Sequence, residues 1–122
     1  MKIRVYYEDT DIGGVVYYAN YFKFIERARS EIFFAHDLSP FNSHGHFIVK
    51  KIDADFLSSA KLGDLLGVKT SLTKTSKVSV ELFQEVLLGE KVLFKANVLL
   101  AYIDENAKLK RVPQDIIDLL SK

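Results

Sequence analysis

The stretch that decides the fold runs from residue 6 to residue 29 and reads YYEDTDIGGVVYYANYFKFIERAR. It places three acids at Glu8, Asp9 and Asp11, then two glycines at Gly13 and Gly14, and then begins a run of apolar residues at helical spacing. This order predicts a strand end, an acidic loop and a helix start. A helix start presents unpaired backbone N–H groups and the positive end of the helix dipole. A carboxylate held beside such donors is a candidate reaction centre.

The sequence predicts a short strand that leads into this stretch and one long helix that begins within it. Residues 2–7 alternate between charged and apolar side chains, which is typical of a short strand. From Tyr21 the apolar residues fall at helical spacing as far as Ala35, and the following segment through Pro40 ends the helix. These helix positions are Phe24, Ile25, Ala28, Ile32 and Ala35.

After residue 45 the hydrophobic pattern changes to a period of two. It predicts four long strands over residues 47–57, 65–73, 78–88 and 92–103, with a tight turn at Gly89-Glu90. The connections are too short for crossover helices, so the strands should pair antiparallel. Val112-Pro113 then opens a short terminal helix.

Together these elements predict an α+β fold, in which an antiparallel sheet of about five strands wraps a long central helix. Leu93, Leu99 and Ile103 fall on the opposite side of their strand from the residues expected to face the helix. This spacing predicts apolar surface on the outer face of the sheet. We therefore expect subunits to associate through the sheet.

Composition bounds the class of protein. The chain has 122 residues, which suits one domain over residues 1–122, and its 17 basic and 16 acidic side chains give a net charge of +1, too little to predict nucleic-acid binding. It has no cysteine, which excludes thiolate nucleophiles and disulfides. No apolar run is long enough for membrane insertion, and no signal peptide precedes the acidic loop, so we expect a cytoplasmic protein.

The motif within residues 7–29 resembles that of a known protein family. The segments 7–11 (YEDTD), 13–17 (GGVVY), 19–21 (ANY) and 26–29 (ERAR) resemble the signature of hot-dog-fold acyl-CoA thioesterases. The similarity is to the YbgC type, associated with the Tol–Pal system, and to the related 4-hydroxybenzoyl-CoA thioesterases. It implies hydrolysis of an acyl-CoA substrate without a cofactor. It also implies a homodimer or homotetramer with active sites at the subunit interface.

Carried over by the motif, the resemblance implies that Asp11 is the catalytic carboxylate, acting as nucleophile or as general base. The helix start at residues 17–19 would supply the backbone amide of Tyr18 to polarise the thioester carbonyl. Tyr7 matches a tyrosine that the YbgC type places near the site, although it could equally be a core aromatic residue. The YbgC type usually has a histidine where this chain has Tyr18, which leaves the acyl preference open.

The resemblance also implies basic side chains that hold the nucleotide of coenzyme A. Lys74, Lys77 and Arg111 are the candidates, because they lie at or near a predicted strand turn and a loop. Glu26, Arg27 and Arg29 match the motif, but Arg27 and Glu31 stand four apart on the helix, so we assign this group a structural role.

Other functions remain open at this point. Residues 9–14 imitate the start of a calcium-binding loop, but the ligands expected later in such a loop are missing, and His36, His44 and His46 lack a clear fourth zinc ligand. We therefore predict no metal site. The alternatives to hydrolysis are a non-catalytic acyl-CoA-binding or protein-interaction module and a hot-dog dehydratase or hydratase. The latter would need a histidine from a partner subunit.

Overall fold

The structure is a computed structural model that describes all of residues 1–122. Strand β1 (Lys2–Arg4) precedes helix α1 (Asn20–Phe34), which is followed by β2 (His46–Phe56), β3 (Leu65–Thr75), β4 (Ser79–Leu88) and β5 (Lys91–Ile103). Helix α2 (Gln114–Leu120) ends the chain. The strands form one antiparallel sheet in the order β1-β3-β4-β5-β2. The predicted α+β fold with five strands, a central helix and a short terminal helix is confirmed.

Helix α1 packs on one face of this sheet and forms the core with it. Its buried residues Phe24, Ile25 and Ala28 lie at the spacing that the sequence predicts, and they join a cluster of 21 buried residues drawn from both helices and the sheet. The strands contribute every second residue to this core. In β4 these residues are Val80, Leu82, Gln84 and Val86.

One polar side chain is fully buried between helix and sheet. The amide nitrogen of Gln84 donates to the backbone oxygen of Ile25 at 3.0 Å and to the Thr70 hydroxyl at 2.9 Å, and its oxygen accepts from the Arg29 guanidinium at 2.9 Å. Arg29 is half-buried, and burial lowers its pKa against the opposing influence of the Glu26 charge. The buried amide thus joins α1 to β3 and β4. The pairing of Arg27 with Glu31 suggested by their spacing is absent, since Lys51–Asp53 at 3.6 Å is the only ion pair within 4.0 Å.

Two sequence-based expectations about the strands are wrong. β1 ends at Arg4 rather than at Tyr7, because the chain turns into a short 3-10 helix at Tyr7–Asp9 that local hydrogen bonds stabilise.

Leu93 does not face outward. An irregularity in the pairing of β4 with β5 between Val86 and Leu87 changes the alternation, and Leu93 is buried in the core beside Phe94.

The outer face of the sheet is consequently more polar than the sequence predicts. One row across four strands alternates in charge, because Lys69 pairs with Glu85, Glu85 with Lys95, and Lys95 with Asp55. Opposite charges at paired positions stabilise a solvated sheet face. Exposed apolar side chains include Ile48, Val49 and Phe56 of the edge strand β2 and Tyr7 and Ile12 at the acidic loop.

No helix of the chain is both long enough and apolar enough to span a membrane.

Candidate active site

The acidic loop is a closed turn that holds Asp11 at its tip. The Asp11 N–H donates to the Val15 oxygen at 2.9 Å, and the Gly14 N–H donates to the Asp11 oxygen at 3.0 Å. Gly14 has a φ of +79°, a conformation that favours glycine. These backbone hydrogen bonds therefore fix the position from which the Asp11 side chain extends.

The Asp11 carboxylate points away from the core. Its Oδ1 accepts the Gly13 N–H at 2.9 Å, and the side chain is exposed in the single chain. A Cβ at residue 13 would come within 3.3 Å of this oxygen, so glycine allows the close approach. One carboxylate oxygen is thus held by the loop, and no hydrogen bond within the chain engages the other.

Asp9 has the opposite surroundings and organises the loop. It is 3% exposed, and its Oδ2 accepts the Tyr6 N–H at 2.9 Å while its Oδ1 accepts the Asn20 side-chain N–H at 3.0 Å. Its backbone oxygen accepts the Tyr17 N–H at 2.9 Å. Asp9 therefore fastens the acidic loop to the first residues of the helix region. The sequence analysis did not assign this role, although an acid three residues after an extended position is a local signal for such a bond.

The helix start has free donors beside this loop. The first turn closes through the N–H groups of Asn20, Tyr21 and Phe22, whereas those of Tyr18 and Ala19 have no acceptor within the chain. Unpaired N–H groups at a helix N-terminus attract negative charge. The Asp9 bonds connect the acidic loop to Tyr17 and Asn20, which stand on either side of Tyr18 and Ala19.

Aromatic residues surround the helix start. The rings of Tyr17 and Tyr18 lie 5.0 Å apart, and Phe56 at the end of β2 lies 5.9 Å from Tyr18 and 6.1 Å from Tyr21. The Tyr21 hydroxyl accepts the Ala60 N–H at 3.0 Å, and burial raises the Tyr21 pKa despite that hydrogen bond. The cluster therefore connects the site to the end of the edge strand β2. Phe56 was not predicted as a site residue because only the folded chain brings it to the helix start.

The remaining predicted residues lie in different places. Tyr7 is in the 3-10 turn before the loop and is 84% exposed, so it is not a core aromatic residue of the single chain. Lys74 and Lys77 lie at the turn from β3 to β4. The segment with Arg111 reaches the same turn, because the next residue, Val112, donates its N–H to the Lys77 oxygen at 2.8 Å. Leu65 begins β3 near the acidic loop. Lys74 lies nine residues further along this strand, about 30 Å from Leu65. Within one chain, the basic group of Lys74, Lys77 and Arg111 is at the opposite end of the sheet from Asp11.

Comparison with known proteins identifies relatives over most of the chain. Residues 13–95 match the family model described as the thioesterase superfamily. The chain is 36% identical over 120 residues to the acyl-CoA thioester hydrolase YbgC of Escherichia coli, with 94% of this chain and 90% of that protein covered. It is 52% identical over 86 residues to the acyl-CoA thioesterase YbgC of Helicobacter pylori, where the match covers 70% of this chain and 65% of that protein, slightly under two thirds of its length.

A solved structure agrees with the sequence relatives. The crystal structure of a probable thioesterase from Bartonella henselae superimposes with a TM-score of 0.86 at 32% identity, covering 93% of this chain and 97% of that one. The hot-dog fold expected from the motif is confirmed by this likeness.

Proposed function

This chain belongs to the thioesterase superfamily, in its YbgC-type branch, and from that premise we propose that it hydrolyses acyl-CoA thioesters at the Asp11 loop. The single observation that supports the proposal is that one short segment contains both an exposed carboxylate at Asp11 and N–H groups at Tyr18 and Ala19 with no acceptor within the chain. Thioester hydrolysis needs both parts, because one activates the attacking oxygen and the other stabilises the oxyanion.

The proposed reaction proceeds through the thioester carbonyl. Its oxygen accepts the Tyr18 N–H, and Asp11 takes a proton from a water molecule whose oxygen bonds to the acyl carbon. The tetrahedral intermediate then expels coenzyme A as a thiolate, which receives the proton. In the alternative route, Asp11 itself attacks the acyl carbon and expels the thiolate. Water then attacks the Asp11 carbonyl carbon of the resulting anhydride, which releases the acyl group as a free carboxylate. A single turnover in ¹⁸O-labelled water distinguishes the routes, since only the second leaves label in the Asp11 carboxylate.

The proposal includes a homodimer formed along the edge of β2. This edge strand has 11 residues, whereas β1 at the other edge has three. Long unpaired edges favour strand addition. An antiparallel pairing centred on Ile52 would place Lys51 opposite Asp53 of the partner subunit, which joins opposite charges.

This pairing gives Asp11 a crevice that the single chain lacks. Tyr7 is 84% exposed and Ile12 is fully exposed, so the loop carries apolar surface that a second copy would cover. The pairing also brings the end of the sheet that carries Lys77 and Arg111 toward the partner's acidic loop. We propose that Lys74, Lys77 and Arg111 bind coenzyme A phosphates there, and that Tyr7 lines the substrate channel.

His46 is the observation that favours a second candidate function. It begins β2, so the same pairing would bring it near the partner's Tyr18 and Asp11. An acid and a histidine together suit addition of water to an enoyl-CoA. An assay of enoyl-CoA hydration on the same sample tests this candidate.

The cytoplasmic location and the tetramer expected from the sequence stay predictions.

The test of the proposed function is the release of free coenzyme A thiol from acyl-CoA substrates by the wild-type protein and by Asp11→Asn. We expect the substitution to lower kcat by at least about a hundredfold, because an amide neither attacks the carbonyl nor removes a proton. Asp118→Asn, which alters an exposed acid on helix α2, is the matched control and should retain activity. Equal turnover by Asp11→Asn and wild type would remove the mechanism. Binding without thiol release by the wild type would favour the non-catalytic module.

A further inference from the structure

A cavity of about 270 Å³ lies between the second half of α1 and the first residues of β2. Most of its wall is apolar and comes from Phe33, Phe47, Leu82, Leu100 and Leu120. Leu82 and Leu100 are buried, whereas Phe41 and Val49, which also line it, are 68% and 47% exposed. The cavity therefore has a buried floor and a mouth at the free edge of the sheet.

Four polar residues also line the wall. Arg29, Ser30 and Glu26 have hydrogen-bond partners, whereas the His46 ring has none and lies 4.6 Å from the ring of Phe41. Arg29 donates to Gln84, and the Ser30 hydroxyl donates to Glu26 at 3.1 Å. No buried side-chain nitrogen or oxygen of the chain lacks a hydrogen bond. The cavity thus presents no unsatisfied buried group to a polar ligand, and its leucine and phenylalanine floor suits an apolar one.

The cavity does not serve the acidic loop of its own chain. Val49 is seven residues from Phe56 along β2, about 23 Å away, and Phe56 is the residue that contacts Tyr18. Antiparallel pairing of two β2 edges reverses this relation, since the start of one strand then lies beside the end of the other. The mouth of each cavity would face the helix start of the partner subunit.

We propose that this cavity is the acyl pocket of the partner's active site and that it takes medium-length straight-chain acyl groups. The inference depends on the proposed function for the thioester itself and adds the class of acyl group. One water occupies about 30 Å³ of liquid, and a methylene group is of similar size, so the cavity holds a tail of about six to nine carbons. A single aromatic ring would leave much of it empty and forfeit contacts with the wall.

The kinetic test measures kcat/KM for butyryl-, hexanoyl-, octanoyl- and palmitoyl-CoA. We expect kcat/KM to rise about three- to fivefold per added methylene up to octanoyl-CoA, as apolar burial predicts, and to fall for palmitoyl-CoA. Ser30→Leu should fill the cavity and lower kcat/KM for octanoyl-CoA about tenfold or more, with a much smaller effect on butyryl-CoA. Lys23→Leu, an exposed position of the same helix outside the cavity, is the control and should keep the wild-type profile. A flat profile across the four substrates would overturn the proposal.

A binding test separates failure of the pocket from failure of the proposed function. S-octyl-CoA, a thioether that cannot be hydrolysed, is added to the full chain with labelled leucine methyl groups. We expect the resonances of Leu82, Leu100 and Leu120 to shift with S-octyl-CoA and to stay in place with free coenzyme A. If they do not shift, the pocket assignment is wrong even in an active thioesterase. If they shift in a protein that releases no thiol, the pocket assignment is supported and the proposal of hydrolysis is wrong.

Ile12 provides a rival occupant of the cavity, because it is a fully exposed apolar side chain on the loop that would face the mouth. If Ile12 of the partner subunit fills the cavity, Ile12→Ala will shift the same leucine resonances without any ligand, and S-octyl-CoA will not. That pair of results would also overturn the proposal.

Discussion

At the scale of single residues, the candidate site contains two acids that stand two positions apart. Asp9 is buried and satisfies the Tyr6 N–H and the Asn20 amide, whereas Asp11 is exposed and bonds only to its own loop. A buried carboxylate with several donors stabilises the fold, and an exposed one with a free oxygen is available for chemistry.

This division predicts different effects on stability. Asp9→Ala leaves the buried Asn20 amide and the part-buried Tyr6 N–H without their acceptor, so we expect the free energy of unfolding to fall by about 2–4 kcal/mol. Asp11→Ala should change it by less than about 0.5 kcal/mol, since the side chain is exposed. Urea unfolding at equal protein concentration measures both. A similar loss for the two variants would show that Asp11 is as structural as Asp9.

At the scale of elements, the start of α1 contributes to the proposed reaction through its backbone. The Tyr18 N–H has no acceptor in the chain, and the Tyr18 ring contacts Tyr17 and Phe56 rather than Asp11. A tyrosine can therefore stand at a position where the YbgC type usually has histidine without removing the donor.

We predict that Tyr18→Pro lowers kcat by about a hundred- to a thousandfold, because it removes one oxyanion donor. Proline is compatible with the first residues of a helix, and no hydrogen bond within the chain is lost. Tyr18→Phe keeps the N–H and should retain activity within a few fold. Thiol release and thermal unfolding are measured together. Full activity in a folded Tyr18→Pro protein would exclude the amide from the reaction.

The local patterns explain why much of the fold could be predicted from the sequence. The apolar spacing around Phe24 and Ala28 and the period of two in β4 each report one element and its buried face. Leu93 is an exception to this pattern. An irregularity in strand pairing turns its side chain from the outer face of the sheet into the core, and the sequence pattern does not reveal that irregularity. For the site, the assignment of Asp11 from the acid-glycine motif stays a prediction. The contact of Phe56 with Tyr18 and the distance to Lys74 could not be predicted, because they depend on how the sheet is assembled.

At the scale of the whole molecule, the parts of the proposed site lie at opposite ends of one sheet. Asp11 and Tyr18 are near the end of β2, whereas the cavity and the basic group are near its start or the matching end of β3. The proposed two-fold pairing of β2 edges would unite them, with each site built from two chains. The central claim is therefore a thioester-hydrolysing site that takes its acid from one chain and its acyl pocket from the other.

Mixed dimers test this claim most directly. Asp11→Asn and Ser30→Leu chains are unfolded together, refolded at equal amounts and assayed for thiol release from octanoyl-CoA. Each mixed dimer would carry one site with a native acid and a native pocket, and half of the dimers would be mixed, so we predict recovery to about a quarter of wild-type activity. Activity equal to the average of the two separate variants would contradict a site shared between chains.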